Sequence, residues 1–169
     1  EQQALYDAYD FSEPWNGPNN SKLLNQMPCI FHTASERESN TFTNIVVITG
    51  PETAFPGSAS TKIADFVDGL ENTILLTEIS NSNVPWLQPR DIDTQVSNSL
   101  LNDPETLSIS SAPWRLPCVV FADRIAAYAV RDEIPPEALR ALTTVAGNEP
   151  VTRSRLIDQG FLSRHDRIR

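Results

Sequence analysis

Few side chains in this sequence have the type and spacing that catalysis needs. Histidine is the usual general base near neutral pH. The sequence has only two histidines, His32 beside a predicted strand and His165 near the C-terminus. Neither belongs to a GxSxG, HExxH or P-loop motif. A catalytic triad would need to be assembled around one isolated histidine, so the sequence favours a protein that is not an enzyme.

Carboxylates are more numerous, and two groups of them could bind a metal or carry a proton. Asp91 and Asp93 follow a Trp/Pro loop and could offer oxygen ligands to calcium. Aspartate is also common at turns, and the spacing of a helix–loop–helix calcium site is absent. Glu78 lies inside an apolar strand and, if it faces inward, needs an arginine partner, for which the candidates are Arg90, Arg115 and Arg124. We expect a structural ion pair there, with no metal and no cofactor.

The two cysteines leave two alternatives open. Cys29 and Cys118 each follow a proline and are 89 residues apart. A disulfide between them would close a long loop in an oxidising compartment. Two buried free thiols fit the sequence equally well. Neither cysteine belongs to a CxxC pair or another metal-binding spacing, which argues against redox catalysis and zinc.

Three tryptophans, Trp15, Trp86 and Trp114, lie one or two residues from a proline. Aromatic rings in such loops can form a platform for a sugar or a peptide. Packing of the rings on prolines, which fixes the loops, is the commoner role. The sequence keeps both roles open.

Charge is distributed unevenly along the 169 residues, whose net charge is −9. Residues 1–149 carry 8 basic and 20 acidic side chains, a net charge of −12, whereas residues 150–169 carry five arginines against two aspartates, a net charge of +3. An acidic body repels phosphate backbones, so the sequence argues against nucleic-acid binding. The basic tail is expected to be a solvated terminus, to dock on an acidic neighbour, its own body included, or to dock on an anionic surface.

Hydrophobic periodicity predicts short helices in the N-terminal part of the chain. Ala4, Leu5, Ala8 and Tyr9 share one helical face, which is typical of the final turns of a longer helix. Asn19 or Asn20 can cap a short helix that ends at Gln26. We expect a short strand over residues 29–31 and a longer buried strand over residues 43–49.

The remaining elements are predicted strands and one helix. Asp68-Gly69 is predicted to reverse the chain before a strand over residues 73–79, and residues 117–122 and 125–130 form a predicted hairpin with its turn at Asp123-Arg124. Pro135-Pro136 opens a helix for which Gly147 is the predicted C-cap. The predicted fold class is α+β: an N-terminal helix remnant, an antiparallel sheet of about four or five strands and a covering C-terminal helix, joined by many loops.

Three groups of residues along the chain form motifs. The first motif comprises Tyr9-Asp10-Phe11, Glu13-Pro14-Trp15-Asn16, Asn20, Leu24 and Met27-Pro28. The second comprises Asp68, Gly69, Asn72, Thr73, Ile74, Glu78, Trp86 and Pro89. The third comprises Phe121-Ala122-Asp123, residues 139–144, Ala146-Gly147 and Glu149-Pro150-Val151.

Together these motifs resemble those of a large bacterial family of unknown function that is abundant in planctomycetes. The family's Asp-Gly turn in the C-terminal hairpin is replaced by Asp123-Arg124, so we expect a widened turn or one of another type.

Members of that family carry a prepilin-type N-terminal cleavage and methylation segment. The resemblance implies a single pilin-like head domain over residues 1–151, followed by a basic tail over residues 152–169. It implies a non-catalytic, extracytoplasmic structural or interaction protein, tethered to a membrane or assembled into a filament through an absent apolar helix. Self-assembly or other pilin-like subunits are the expected partners. An extracellular glycan- or peptide-binding module, with or without calcium, is the alternative.

The second motif is expected to be structural. Asp68 and Gly69 would make a turn that the side chains of Asn72 and Thr73 fix by hydrogen bonds. Glu78 would be paired internally, and Trp86 would lie in the loop that leaves the strand.

Overall fold

The computed structural model of the chain describes residues 2–33, 41–97, 99–112 and 115–165. The chain divides into two compact units. The first comprises Glu1–Ile45 and Asn81–Arg90, and the second comprises Val46–Ser80 and Asp91–Arg169. The predicted α+β class is confirmed, because a five-stranded antiparallel sheet is combined with a few short helices. Among the described residues, no helix has both the length and the apolar character that crossing a bilayer requires.

Short helical segments dominate the first unit. Helix α1 covers Gln3–Ala8, and two 3₁₀ helices cover Asn20–Gln26 and Cys29–Phe31. The predicted strand at residues 29–31 is therefore wrong. The backbone N–H of Phe31 donates to Pro28 O at 3.1 Å, which closes the chain into a local turn before it can pair with a strand.

One buried asparagine organises the loop that follows α1. Asn20 is fully buried, and its Oδ1 accepts a hydrogen bond from Asp10 N at 2.8 Å. Its Nδ2 donates to Asp10 O at 2.9 Å and to Pro14 O at 3.1 Å. The Glu13 carboxylate accepts bonds from the backbone N–H groups of Asn19 and Asn20. Because the polar groups are satisfied within the loop, residues 10–20 can fold back without a strand to pair with.

The last part of the first unit, Asn81–Arg90, contains an extended segment whose backbone forms hydrogen bonds with residues 41–43. Thr43 N donates to Val84 O at 2.9 Å, and Trp86 N donates to Thr41 O at 2.9 Å. Val84 is fully buried between these bonds. The segment therefore fixes the backbone position of Trp86.

The second unit contains most of the sheet. The strands of this five-stranded sheet lie in the order β1-β3-β5-β6-β7. They cover Ile45–Val46 (β1), Ile74–Glu78 (β3), Cys118–Phe121 (β5), Ala127–Val130 (β6) and Leu162–Arg164 (β7). The β3–β5, β5–β6 and β6–β7 pairs are antiparallel. Two further strands, β2 (Ile48–Thr49) and β4 (Ile92–Asp93), form a separate parallel pair. The predicted strand over residues 73–79 is confirmed as β3.

The predicted single strand over residues 43–49 is wrong, because the chain changes sheets inside it. Strand β1 belongs to the five-stranded sheet, and β2 belongs to the two-stranded one. Between them, Val47 N donates to Asp91 Oδ1 at 3.1 Å and Val47 O accepts from Ile92 N at 3.2 Å. These bonds direct residue 47 toward β4, so β1 stops after two residues.

The hairpin of β5 and β6 is confirmed, and of the two expected alternatives for its turn the structure shows the widened one. Val120 pairs with Ala127, and residues 122–126 connect the two strands. Arg124 N donates to Phe121 O at 2.9 Å, and Arg124 has a φ of 56°. A left-handed backbone is costly for a residue with a side chain, so the arginine adopts here a conformation that glycine takes more easily.

Two helices pack with the sheet in the second unit. Helix α2 covers Pro136–Ala141, and its Ala138 and Leu139, with Leu142 just after it, belong to the hydrophobic core. The predicted C-cap at Gly147 is wrong, because the helix ends at Ala141 and its C-cap is Leu142. Helix α3 covers Arg153–Asp158. Residues 153–164, which belong to the expected basic tail, include α3 and the edge strand β7.

Candidate functional site

The residues of the second motif form a turn that binds the segment after α2. Gly69 has a φ of 96°, which favours glycine. The carboxylate of Asp68 accepts hydrogen bonds from Gly147 N at 2.8 Å and from Asn148 N at 2.9 Å. Asp68 N also donates to Val145 O at 3.1 Å. Asp68 therefore holds the chain between α2 and α3 in place.

Asn72 and Thr73 bond the same turn and extend it to α3. The Nδ2 of Asn72 donates to Asp68 O at 2.8 Å, and its Oδ1 accepts from Arg153 N at 2.9 Å. Thr73 is fully buried, and its Oγ1 lies 3.2 Å from both Gly69 O and Thr144 O. These contacts make the motif a structural connection, with its side-chain oxygens and nitrogens bonded inside the unit.

Glu78 is buried, with 2 % of its surface exposed. It pairs with Arg115, one of its three candidate partners. Its Oε1 accepts a hydrogen bond from Arg115 Nη2, and its Oε2 accepts one from Cys118 N at 3.2 Å. Both carboxylate oxygens are thus used, as a buried charge requires. The arrangement is a structural ion pair and not a carboxyl group poised for proton transfer.

Sequence reasoning missed a second ion pair, between Asp123 and Arg153. Arg153 Nη2 lies 2.6 Å from Asp123 Oδ2, and both side chains are 13 % exposed. The guanidinium carbon lies 4.9 Å from the ring centres of Phe121 and Tyr128, a cation–π geometry. Of the alternatives for the basic tail, docking on its own body thus holds for Arg153. The partners are distant in sequence, so only the net charge of +3 over residues 150–169 signalled the contact.

The same ion pair sets the protonation of Asp123. Burial alone raises the pKa of this carboxyl group. The hydrogen bond from Arg153, the N–H of Ile125 and the arginine's charge together outweigh burial and hold the pKa below its usual range. Asp123 is therefore charged at neutral pH, and the pair is complete.

The proposed calcium ligands serve backbone groups instead. Asp91 Oδ1 accepts from Val47 N, and burial raises the pKa of its carboxyl group more than that bond lowers it. Asp93 Oδ1 accepts from Gln95 N at 2.9 Å, a turn contact. Within the described parts of the chain, no group of three or more His, Cys, Asp or Glu side chains is placed to hold a metal ion.

Both cysteines are free thiols, and they differ in exposure. Cys29 is exposed, in the 3₁₀ helix of the first unit. Cys118 is partly buried at the start of β5, and burial raises the pKa of its thiol more strongly than the charge of Arg115 lowers it. The two histidines likewise fall in different units, His32 after the same 3₁₀ helix and His165 after β7.

Trp86, the last aromatic residue of the second motif, lies in the first unit beside an open groove. Its Nε1 donates to Leu24 O at 3.0 Å, and its ring lies 5.6 Å from that of Phe31. The ring of Trp86 is thus fixed by a hydrogen bond and by an aromatic neighbour. Trp114, another candidate for an aromatic platform, is outside the described residues.

The groove has a volume of about 610 Å³ and an apolar lining. Helix α1 contributes Leu5 and Tyr6, the chain after it contributes Tyr9 and Phe11, and the opposite side includes Phe31 and Trp86. Apart from Gln2 and the tyrosine hydroxyl groups, every lining side chain is apolar. A cavity of this size is within the usual range for ligand sites.

Several groove residues expose much of their apolar surface. Tyr6 is 63 % exposed, Phe11 is 69 % exposed and Ile30 is 72 % exposed. Helix α1 buries none of its residues. Exposed apolar residues that cluster around a concavity are typical of an interaction site. The sequence predicted an apolar helical face of Ala4, Leu5, Ala8 and Tyr9, of which Leu5 and Tyr9 line the groove. The groove itself and its other side could not be predicted from the sequence.

Comparison of the chain with protein-family models, with curated proteins and with solved structures finds no match.

Proposed function

We propose that the chain is a non-catalytic, pilin-like structural or interaction protein that works outside the cytoplasm, tethered to a membrane or assembled with other pilin-like subunits. One observation carries the interaction part of this proposal. Helix α1 buries none of its residues and turns Leu5 and Tyr6 toward an open apolar groove. Covering such a surface with a partner removes apolar area from water, which favours association.

The groove also favours one form of the alternative function, peptide binding. Sugar hydroxyl groups need several polar partners, and here the lining side chains offer only Gln2 and two tyrosine hydroxyl groups. The indole N–H of Trp86 is already donated to Leu24 O. A peptide with apolar side chains matches this lining better than a glycan does.

Chemical labelling in intact cells tests the location. A membrane-impermeant maleimide should react with Cys29, which is exposed, before it reacts with the half-buried Cys118. Cys29→Ser is the matched control and should lose the rapid labelling. Labelling that appears only after lysis would refute an extracytoplasmic location.

Site-specific photo-crosslinking tests the interaction. A photoreactive amino acid at Ile30 samples the groove, and the same amino acid at Ile63 samples the second unit at closely matched exposure, 72 % against 77 %. We expect a crosslinked product of discrete mass from position 30 and none from position 63. Equal products from both positions, or none from position 30, would contradict a role for the groove in assembly.

A further inference from the structure

The backbone that lines the groove limits what can bind there. Phe31 N donates to Pro28 O, Trp86 N donates to Thr41 O, and Tyr9 N donates to Tyr6 O. These backbone donors are therefore used within the unit. An extended peptide adds to a protein by pairing with free backbone groups at an edge, and these three N–H groups are not free for such pairing. An occupant whose own backbone bonds are satisfied internally, as in an α-helix, fits this lining.

Side-chain hydrogen-bond donors are few in the lining of the groove. The indole N–H of Trp86 bonds Leu24 O at 3.0 Å, which leaves Gln2 and the hydroxyl groups of Tyr6 and Tyr9. Polyproline segments have free carbonyl groups and depend on several such donors. What the groove offers is apolar contact, which one face of an amphipathic helix can cover.

The charge around α1 selects among amphipathic helices. The first 22 residues contain four acidic side chains, Glu1, Asp7, Asp10 and Glu13, and one basic one, Lys22, whose ammonium group donates to Asn19 Oδ1. Asp10 is next to the lining residues Tyr9 and Phe11, and hydrogen bonds from Ser12 lower the pKa of its carboxyl group, so it is charged at neutral pH. A cationic partner is attracted to this surface, and an anionic one is repelled.

The same charge argues against two other occupants. A second copy bound face to face would bring its own Asp7 and Asp10 close to those of the first, and each chain has a net charge of −9. An anionic bilayer would likewise be repelled by the carboxylates. A basic helix from a different protein meets neither obstacle.

We propose that the groove binds the apolar face of a basic amphipathic α-helix supplied by a partner protein. This inference rests on the proposed interaction function and names the chemistry of the partner. The apolar face covers Tyr6, Phe11 and Ile30, and lysine or arginine side chains beside that face approach Asp10.

Three synthetic peptides of about 18 residues, or about 27 Å as helices, test the proposal. The first has a leucine face and lysines elsewhere, the second has the same face with glutamates, and the third has the first peptide's composition without helical periodicity. Fluorescence anisotropy of labelled peptides gives their affinities for the whole chain. We expect the first to bind at least about tenfold more tightly than the others, with the gap to the second narrowing at about 0.5 M salt.

Two matched variants separate groove binding from general attraction to an acidic protein. Ile30→Ser should weaken the first peptide about tenfold, whereas Ile63→Ser should leave its affinity unchanged. Equal affinity of the glutamate or non-periodic peptide, or no effect of Ile30→Ser, would overturn the proposal. If the chain forms a dimer that Ile30→Ser abolishes, the occupant of the groove is a second copy of the chain. If it binds neutral lipid vesicles and Ile30→Ser abolishes that binding, the occupant is lipid.

The outcome is distinguishable from failure of the proposed function. If none of the peptides binds while the crosslink from position 30 persists in cells, the partner is not a basic amphipathic helix, but the proposed interaction function stands. If the crosslink is also absent, the interaction function fails as well.

Discussion

Removing Arg115 should destabilise the chain more than removing the charge of its partner. Arg115→Met keeps most of the aliphatic stem and leaves Glu78 as a charged group at 2 % exposure, with Cys118 N still donating a hydrogen bond to it. An uncompensated buried charge costs about 3–5 kcal/mol. Glu78→Gln instead leaves an arginine whose side chain is 21 % exposed and can reach water. We expect about 1–2 kcal/mol for that variant.

Urea unfolding followed by far-ultraviolet circular dichroism measures both costs, with Glu78→Gln/Arg115→Met completing a double-mutant cycle. The double variant should be more stable than Arg115→Met alone, because it no longer holds an orphaned charge. The midpoint temperature of Arg115→Met should fall by about 10 °C. Equal costs for the two single variants, or less than about 1 kcal/mol for Arg115→Met, would refute the reasoning.

Three further predictions concern the second unit. Arg124→Gly should raise the unfolding free energy measured in urea by about 1 kcal/mol, because residue 124 has a φ of 56°. A lower unfolding free energy would show that the arginine side chain stabilises the fold. Asp91→Asn should raise the melting temperature at pH 7 and have no effect near pH 3. The reason is that burial raises the pKa of Asp91, so the stability present below the ordinary pKa is lost as the pH rises through the folded one; a difference that persists in acid would contradict this. Arg153→Lys should lower the unfolding free energy by about 1–2 kcal/mol, since an ammonium group cannot pair with Asp123 and cover two rings at once. An unchanged urea midpoint would count against the cation–π contacts.

The strands that sequence reasoning predicted well are those with a turn signal next to one end. The Asp68-Gly69 turn precedes β3, and the connection at Asp123-Arg124 separates β5 from β6. Residues 43–49 had no such signal. A continuous β-branched run shows that a segment is buried, but it does not show that residue 46 pairs in one sheet and residue 48 in another. That choice depends on Asp91, which is 44 residues away from Val47 in the sequence.

The candidate site was predictable to a similar extent. The spacing of Leu5 and Tyr9 defined the apolar side of α1, and this side does line the groove. Phe31 was predicted to lie in a strand, which was wrong. In a strand, successive side chains point to opposite faces, so residues 30 and 31 would not both have lined the groove. The 3₁₀ helix that replaces it is set by the local bond from Phe31 N to Pro28 O. Nothing in the sequence near residue 31 indicates that Trp86 is its ring partner.

The structure separates the residues that hold the fold from those free to bind. Both carboxylate oxygens of Asp68, both polar atoms of the Asn72 side chain and both carboxylate oxygens of Glu78 are bonded within the second unit. Such groups have little capacity left for a ligand, so Asp68, Asn72 and Glu78 contribute to stability and not to recognition. Tyr6 and Ile30, in contrast, keep most of their apolar surface in water. Because burying that surface stabilises only a complex, substitutions there should change binding and leave folding nearly intact, whereas substitutions of the three bonded residues should do the reverse.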